Sequence, residues 1–324
     1  MPRSEVYKAV PDRAGPFAYI EQQALEESGD IDILFVGSSL LWAGIDTHAV
    51  AEALSARIRR PATVVMLGSN WEGADLPYVL LHDLLSHRHV RLVVLSTPTS
   101  RFTHDTPHVQ AFRWMRFGED QEAADALLWS DRLSVYAAEV LGAPRQVVSW
   151  LRPNMVYPEE VDAGWLREER LHEGYYGAPF VRDDSEAKPV SAATATYDGS
   201  PTGPFRFVGP PPGSYERVYL RETGRLLERN GSAVAALHVV TARERGQEVV
   251  RERFRWPDAL GVPCDILGVP AATLFAGMSE ERLHHYYYDE HLNGNGAARF
   301  TAAVAPAIVE TYLRAGARSA AGSQ

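Results

Sequence analysis

The stretch from Ile31 to Leu40, IDILFVGSSL, decides the fold that this sequence predicts. Its apolar run from Ile31 to Val36 is typical of a buried strand, and the Gly-Ser-Ser that follows indicates that the strand ends abruptly. Asp46 or Thr47 can then cap a helix with one apolar face. A small polar residue on such a strand-to-helix turn lies at the carboxyl edge of an α/β sheet, where these folds bind ligands. An ordinary connecting loop is the alternative interpretation.

Four more apolar runs follow the first and extend this pattern. The five predicted strands are Ile31 to Val36, Ala62 to Leu67, Arg91 to Leu95, Ala233 to Val240 and Cys264 to Val269. Between the second and third strands, Asp75-Leu76-Pro77 opens a predicted helix, with proline tolerated in its first turn. Strands that alternate with helices favour a parallel sheet that is covered on both faces.

The regular alternation stops between strands three and four. Helices are predicted over residues 123–141 and 144–151, and residues 174–213 are rich in glycine and proline. A connection this long is typical of a lid, a binding loop or a disordered segment. We therefore expect one α/β domain over residues 1–314, with residues 118–213 as a helical and loop-rich cap insertion, and a disordered tail over residues 315–324.

Composition and charge exclude several classes of function. The 324 residues carry a formal net charge of −10 at pH 7, which argues against nucleic acid or an anionic membrane as the main partner. The single cysteine, Cys264, excludes an intrachain disulfide, and its apolar neighbours predict a core position. The amino-terminal residues are not apolar, and no stretch is long and apolar enough for a membrane anchor, so we expect a cytoplasmic protein.

A second informative stretch, YYYDEHLNGNG over residues 286–296, precedes a predicted last helix. Together with Gly37-Ser38-Ser39-Leu40 it resembles the SGNH (GDSL-type) hydrolase superfamily. In that family a Gly-Asp-Ser-Leu-like block supplies a serine nucleophile, and a late Asp-x-x-His block supplies the acid and the base. The Gly-Ser-Ser form is most similar to the branch that includes D-alanyl-lipoteichoic acid and alginate O-acetylation proteins. The resemblance implies a three-layer, flavodoxin-like fold with the parallel strand order 2-1-3-4-5.

The resemblance also implies catalytic roles. Ser39 aligns with the nucleophile and His291 with the base, and Asp289 is the preferred acid. The late block is one residue shorter than the usual family spacing, so Glu290 or a distant acid is an alternative. Capping of the last helix is the alternative role for His291. A family block that contains Asn should follow strand three, but residues 96–100 read STPTS.

Oxyanion and substrate-binding residues are predicted around the same turn. The candidate oxyanion donors are the backbone N–H of Ser39 together with Gly68, Asn70 and Gly73. The candidate substrate-binding residues are Trp42, Trp71 and Arg101, with His104 and His108 nearby. Gly68 can instead be a turn residue, the tryptophans can instead lie in the core, and the polar residues can belong to a surface loop.

The expected function is that of a serine esterase or acyltransferase that uses no cofactor. The substrate would be a small acylated polar metabolite or sugar. The reaction would pass through an acyl-enzyme, and in the transferase an acyl acceptor would take the acyl group. The alternative is a catalytically weakened SGNH-like protein that binds a carbohydrate or metabolite. A metal site is a third interpretation, but adjacent histidines diverge, and no metal-binding spacing is present in the cluster of His284, His285, Asp289 and His291.

Overall fold

Five parallel strands form the centre of the protein, whose computed structural model describes most of the α/β core. The described residues are Tyr7 and residues 17–69, 73–97, 121–151, 198–199, 205–206, 212–242, 256–288 and 291–322. The strands are β1 (Ile31–Ser38), β2 (Val64–Ser69), β3 (Val90–Ser96), β4 (Ala233–His238) and β5 (Cys264–Gly268). Their order is 2-1-3-4-5 and all of them are parallel, so the predicted α/β sheet and its order are confirmed.

Helices cover both faces of the sheet. The described helices are α1 (Phe17–Glu21), α2 (Ser39–Gly44), α3 (Thr47–Ile58), α4 (Asp75–Leu85), α5 (Gln121–Ala126), α6 (Trp129–Leu151), α7 (Ser214–Asn230), α8 (Trp256–Leu260), α9 (Ala271–Leu274), α10 (Glu280–Leu283) and α11 (Gly294–Gly322). All eight residues of β1 are buried, as expected for a central parallel strand packed on two sides. No helix in the described ranges has both the length and the apolar character needed to cross a bilayer.

The direction of each crossover decides which helix lies on which face. The chain steps from β1 to β2 in one direction and makes its later crossovers in the opposite direction. Because such crossovers are right-handed, α2 and α3 lie on one face, and α4, α7 and α8 lie on the other. The packing agrees, since α11 contacts α2 and α3, while α7 contacts α4 and α8.

Two segments differ from the expectations drawn from the sequence. Helix α6 continues through Pro144, where we expected a break, because helix-forming residues on both sides outweigh the loss of one backbone hydrogen bond. Helix α11 extends to Gly322, through a segment that we expected to be disordered. That segment is rich in alanine, and extending an existing helix avoids the cost of nucleation. Residues 152–197, the larger part of the expected cap, lie outside the described residues.

The free cysteine is partly buried beside the core rather than inside it. Cys264 begins β5 and packs against the hydrophobic core. Burial raises the pKa of its thiol to about 12. The thiol is therefore protonated near neutral pH and is a poor nucleophile.

Asp32 joins three parts of the fold at the amino end of the sheet. Its carboxylate accepts hydrogen bonds from the Arg60 guanidinium at 2.8 and 2.5 Å, the Thr63 N–H at 2.9 Å and the Tyr312 hydroxyl at 2.5 Å. Burial by itself would raise the pKa of Asp32, but the hydrogen bonds from Arg60, Tyr312 and Thr63 outweigh it and lower the pKa. The carboxylate thus links β1 to the start of β2 and to α11.

We predict that Asp32→Asn lowers the free energy of unfolding by about 2–3 kcal/mol at pH 7, since hydrogen bonds to a charged group are stronger than neutral ones. Because folding lowers the pKa of Asp32, its contribution is complete above the ordinary aspartate range near pH 4. That contribution is lost as the pH falls through the folded-state pKa. Urea titrations at several pH values should show the difference between wild type and variant shrinking below about pH 4.

The matched control is Asp265→Asn, because Asp265 pairs with Arg314 at 2.7 Å but is one-third exposed. An exposed pair contributes less than about 1 kcal/mol. Equal losses in the Asp32 and Asp265 variants would contradict a special role for the buried carboxylate.

Candidate active site

The two serines at the end of β1 have different surroundings. Ser38 is buried, and its hydroxyl lies 3.3 Å from the hydroxyl of Ser96 on β3. Ser39 is half-buried and begins α2 at the carboxyl edge of the sheet. Gly37 allows this close approach of the strands, since a Cβ there would lie 2.3 Å from the Cβ of Ser96. Only the second serine therefore presents its hydroxyl at the edge.

The hydroxyl of Ser39 meets the imidazole of His291. Ser39 Oγ lies 2.8 Å from His291 Nε2, although 252 positions separate the two residues along the chain. In the tautomer that carries its proton on Nδ1, Nε2 accepts a hydrogen bond from the serine hydroxyl. The structure thus brings together the two residues predicted as nucleophile and base.

Asn293 anchors the strand that carries His291. The residues 287–288 and 291–292 pair as a short antiparallel hairpin immediately before α11. Asn293 caps that helix, because its side-chain oxygen accepts from the Gly296 N–H at 3.0 Å. Its side-chain nitrogen donates to the His285 carbonyl at 3.0 Å. The helix cap is therefore Asn293, and the imidazole of His291 faces Ser39 instead.

Gly296 allows the same turn to close. A Cβ at this position would lie 2.1 Å from the carbonyl oxygen of Tyr286, so only glycine fits the observed backbone. The neighbouring Leu292 is buried and belongs to the core. The hairpin is thus held by a helix cap on one side and by apolar packing on the other.

Several predicted site residues lie outside the described residues. They are Asn70, Trp71, Arg101, His104, His108, Asp289 and Glu290. The acid that orients His291 and the side-chain oxyanion donor of the second loop therefore remain predictions.

Gly68 and Trp42 pack against each other below the site. Gly68 lies within β2 and opposite Gly37, rather than in the turn after the strand. A Cβ on Gly68 would lie 2.4 Å from the Cβ of Trp42, which is completely buried. Trp42 therefore packs in the core, in line with the second interpretation of this residue, and offers no surface to a substrate.

Gly73 lies at the rim of a pocket beside Ser38. Its φ of +143° is a conformation that residues with side chains rarely adopt. Gly73 lies in the loop that leads directly into α4. The pocket has a volume of about 50 Å³. Its lining residues are Val36, Gly37, Ser38, Gly73, Ala74, Pro77, Leu95, Ser96, Thr97, Pro212, Glu216, Leu220, Thr223 and Trp256.

A buried polar pair occupies the edge where the family block with Asn was expected. Thr97 Oγ1 lies 3.0 Å from Nδ1 of His238, and both side chains are buried. His238 was not predicted as a site residue because it lies inside the apolar run of β4. A histidine at the carboxyl end of a predicted central strand was the signal that could have identified it.

The alternative of a metal site gains no support from the described residues. Among them, no three His, Cys, Asp or Glu side chains are grouped so that they could hold a metal ion. Asp289, one member of the proposed cluster, is outside this set. The imidazole of His291 instead contacts Ser39.

Comparison with known proteins assigns no family to this chain. No protein-family model matches it, and no curated protein matches its sequence. The interpretation of the site therefore depends on its own geometry and on the motifs in the sequence.

We predict that Asn293→Ala slows the labelling of Ser39 by a fluorophosphonate probe by about tenfold or more, because the imidazole loses the anchor that positions it. Loss of the helix cap should also cost about 1 kcal/mol in the free energy of unfolding. Asn293→Asp separates the two effects. Aspartate retains the cap but cannot donate to the His285 carbonyl, so stability should recover more than the labelling rate.

Asn295→Ala is the matched control, because its exposed amide also donates to the His285 carbonyl, at 3.3 Å, but does not cap the helix. Labelling should be nearly unchanged in this variant. Equal effects of the Asn293 and Asn295 variants would contradict a positioning role for the cap.

Proposed function

We propose that this protein is a serine-dependent acyl ester hydrolase or O-acyltransferase of SGNH type, which acts on a small acylated polar metabolite or sugar. The observation that carries the proposal is the 2.8 Å contact between Ser39 Oγ and His291 Nε2 at the carboxyl edge of the sheet. A serine hydroxyl becomes a useful nucleophile when an adjacent base accepts its proton. The position of both residues in the two motif blocks supports the same assignment.

The proposed reaction begins when Ser39 Oγ attacks the carbonyl carbon of the ester and passes its proton to His291 Nε2. The carbonyl π electrons move to oxygen and form an oxyanion. When this intermediate collapses, the bond to the alcohol oxygen breaks and the alcohol leaves with the proton from His291. Water or an acceptor hydroxyl then attacks the acyl-serine with the same proton transfers, which releases an acid or a new ester and regenerates Ser39.

Backbone donors near Ser39 support a role in stabilising the oxyanion. The N–H of Ser39 lies in the first turn of α2, where an N–H has no acceptor within its own helix. Gly73 lines the pocket beside this turn, and we propose its N–H as the second donor. The predicted side-chain donor, Asn70, would complete the set.

The second candidate is a catalytically weakened SGNH-like binding protein. The observation that favours it is the absence of Asn from residues 96–100, the place where the family supplies an oxyanion donor. The hydroxyl of Thr97, which lies at this edge, is already engaged with His238. Fast reaction of Ser39 with an electrophilic probe would exclude this candidate, since only an activated hydroxyl is labelled quickly.

We predict that a fluorophosphonate probe forms an adduct on Ser39 and that Ser39→Ala abolishes both labelling and ester hydrolysis. Removal of a catalytic serine costs about 10⁴-fold or more in rate. Ser38→Ala is the matched control, because the hydroxyl of Ser38 is buried against Ser96, so most activity should remain. Intact-mass and peptide mass spectrometry locate the adduct. An adduct on Ser38, or on neither serine, would overturn the assignment.

The pH dependence tests the base. Because His291 must be neutral to accept the proton, kcat/KM should rise with pH through an apparent pKa in the ordinary histidine range, near 6.5. His291→Ala should lose nearly as much activity as Ser39→Ala, and the double variant should lose little more. If Asp289 orients the imidazole, Asp289→Asn should cost about 10⁴-fold while Glu290→Gln costs little. A flat profile between about pH 5 and 8 would contradict histidine base catalysis.

A further inference from the structure

Helix α6 carries a row of apolar side chains on its exposed side. In the part of the chain that the structure describes, the large apolar side chains that are exposed fall within residues 128–151. They are Leu128, Trp129, Leu133, Tyr136, Val140 and Leu151, each between 45% and 71% exposed. Single exposed apolar residues are common on protein surfaces, but a contiguous row of them marks an interaction site. This side of α6 is therefore a candidate docking surface.

The spacing of the row indicates what kind of partner fits it. Intervals of four, three and four residues separate Trp129, Leu133, Tyr136 and Val140, which we call the seam. This is the repeat with which apolar residues form a narrow contact line for a second helix. Val135 lies on another side of α6, is only 4% exposed and packs into the core. The helix is thus anchored by one side and presents the seam on another.

The seam matches a second copy of itself when the two helices run antiparallel. A two-fold axis that passes between positions 133 and 136 brings Trp129 opposite Val140 of the second copy and Leu133 opposite Tyr136, and each contact occurs twice. Every layer then combines an aromatic ring with a smaller aliphatic side chain, which allows the two surfaces to interdigitate. A parallel pair would place Trp129 on Trp129 and Val140 on Val140, which is a poorer match in size.

The residues beside the seam allow the second helix to come close. Ser130 and Ala137 lie along one edge, and both are small and exposed. Arg132 lies along the other edge and is paired within the chain, where its guanidinium is 3.6 Å from the Asp125 carboxylate. The four seam positions themselves carry no charge. The seam can therefore be buried without removing a charged side chain from water.

The area of the seam is that of a weak interface. A large apolar side chain has about 150–250 Å² of surface, so the four seam residues of one copy expose roughly 400 Å². Two copies would bury roughly 800 Å² through the seams, and the neighbouring Leu128, Ser130 and Ala137 add to this area. Interfaces below about 1,200 Å² belong to weak, reversible complexes. We therefore expect a dissociation constant in the micromolar range.

We propose that two copies of this protein associate through α6 as an antiparallel, two-fold symmetric pair. The partner is a second copy because the seam is complementary to itself in size, layer by layer. The formal net charge of −10 on each copy opposes the association, and salt screens this repulsion. The pairing is independent of the reactivity of Ser39, so it stands or falls separately from the proposed function.

Sedimentation velocity of the full chain between about 1 and 100 μM tests the association. Wild type should pass from monomer to dimer in this range, and raising the salt from about 50 to 500 mM should lower the dissociation constant. Leu133→Glu places two carboxylates near the two-fold axis and should raise the dissociation constant by about 100-fold or more. Because Leu133 is 47% exposed, this variant should keep the fold, which far-UV circular dichroism verifies.

Ser134→Glu is the matched control for the added charge. Ser134 is exposed on α6 but lies outside the seam, where its hydroxyl donates to the Ser130 carbonyl at 3.1 Å. This variant gains the same charge as Leu133→Glu at the neighbouring position. It should dimerise like wild type.

Cysteine cross-linking tests the orientation of the two helices. The native Cys264 is first replaced by alanine, since it is the single cysteine of the chain. A mixture of the Trp129→Cys and Val140→Cys proteins should then form a disulfide between copies, while either protein alone should form little. Only an antiparallel pair brings position 129 of one copy within disulfide range of position 140 of the other.

Four results would contradict the proposal. A chain that stays monomeric at about 100 μM, or a dimer that Leu133→Glu leaves intact, would overturn the association through α6. Efficient self-linking of Trp129→Cys or Val140→Cys would overturn the antiparallel arrangement. A monomer that binds phosphatidylcholine vesicles, and loses this binding in Leu133→Glu, would assign the seam to a lipid surface instead.

Discussion

The complete burial of β1 is the constraint on which the rest of the structure depends. The strand lies between β2 and β3 and is covered on both faces, so none of its eight residues is exposed. A slip of such a strand would place larger side chains where only Gly37 fits beside Ser96, so close packing on both faces fixes its register. The residue that follows such a strand is positioned as firmly as the strand itself. Ser39 is that residue.

A second constraint brings His291 to the same place from the far end of the chain. Helix α11 packs against α3, and the completely buried Thr301 accepts a hydrogen bond from the Asp46 N–H at 2.9 Å. Asp46 in turn caps α3, since its carboxylate accepts from the Ala49 N–H at 2.9 Å. The segment that follows Ser39 and the helix that follows His291 are therefore joined by a buried contact. A contact between two side chains separated by 252 positions depends on this kind of rigid connection.

The sequence predicted the parts of the fold that are governed by local pattern. Long apolar runs identified all five strands, and the polar cap at Asp46 identified the start of α3, because both signals lie within a few neighbouring residues. The strand order came from the resemblance to a known family and agrees with the structure. The extension of α11 was missed, because a small and polar composition was given more weight than the helix propensity of alanine.

The candidate site could be predicted only in part. The resemblance to a known family singled out Ser39 and His291 as candidates, and the structure places the two side chains in contact. Trp42 was predicted to bind the substrate but is buried in the core. The sequence does not show that Gly68 lets this tryptophan pack directly on the neighbouring strand. Such contacts follow from the tertiary packing of distant segments.

Polar groups at the carboxyl edge of the sheet differ in where their partners come from. Ser38 pairs with Ser96 on the neighbouring strand, and Thr97, directly after β3, pairs with His238 at the end of β4, so the buried hydroxyls of Ser38 and Thr97 are satisfied within the sheet region. The partner of Ser39 comes from outside the sheet and approaches a hydroxyl that is only half-buried. A group with both a base and open space beside it can exchange its proton and form a new bond. The hydroxyl of Ser38, by contrast, is buried and has another hydroxyl, that of Ser96, as its partner.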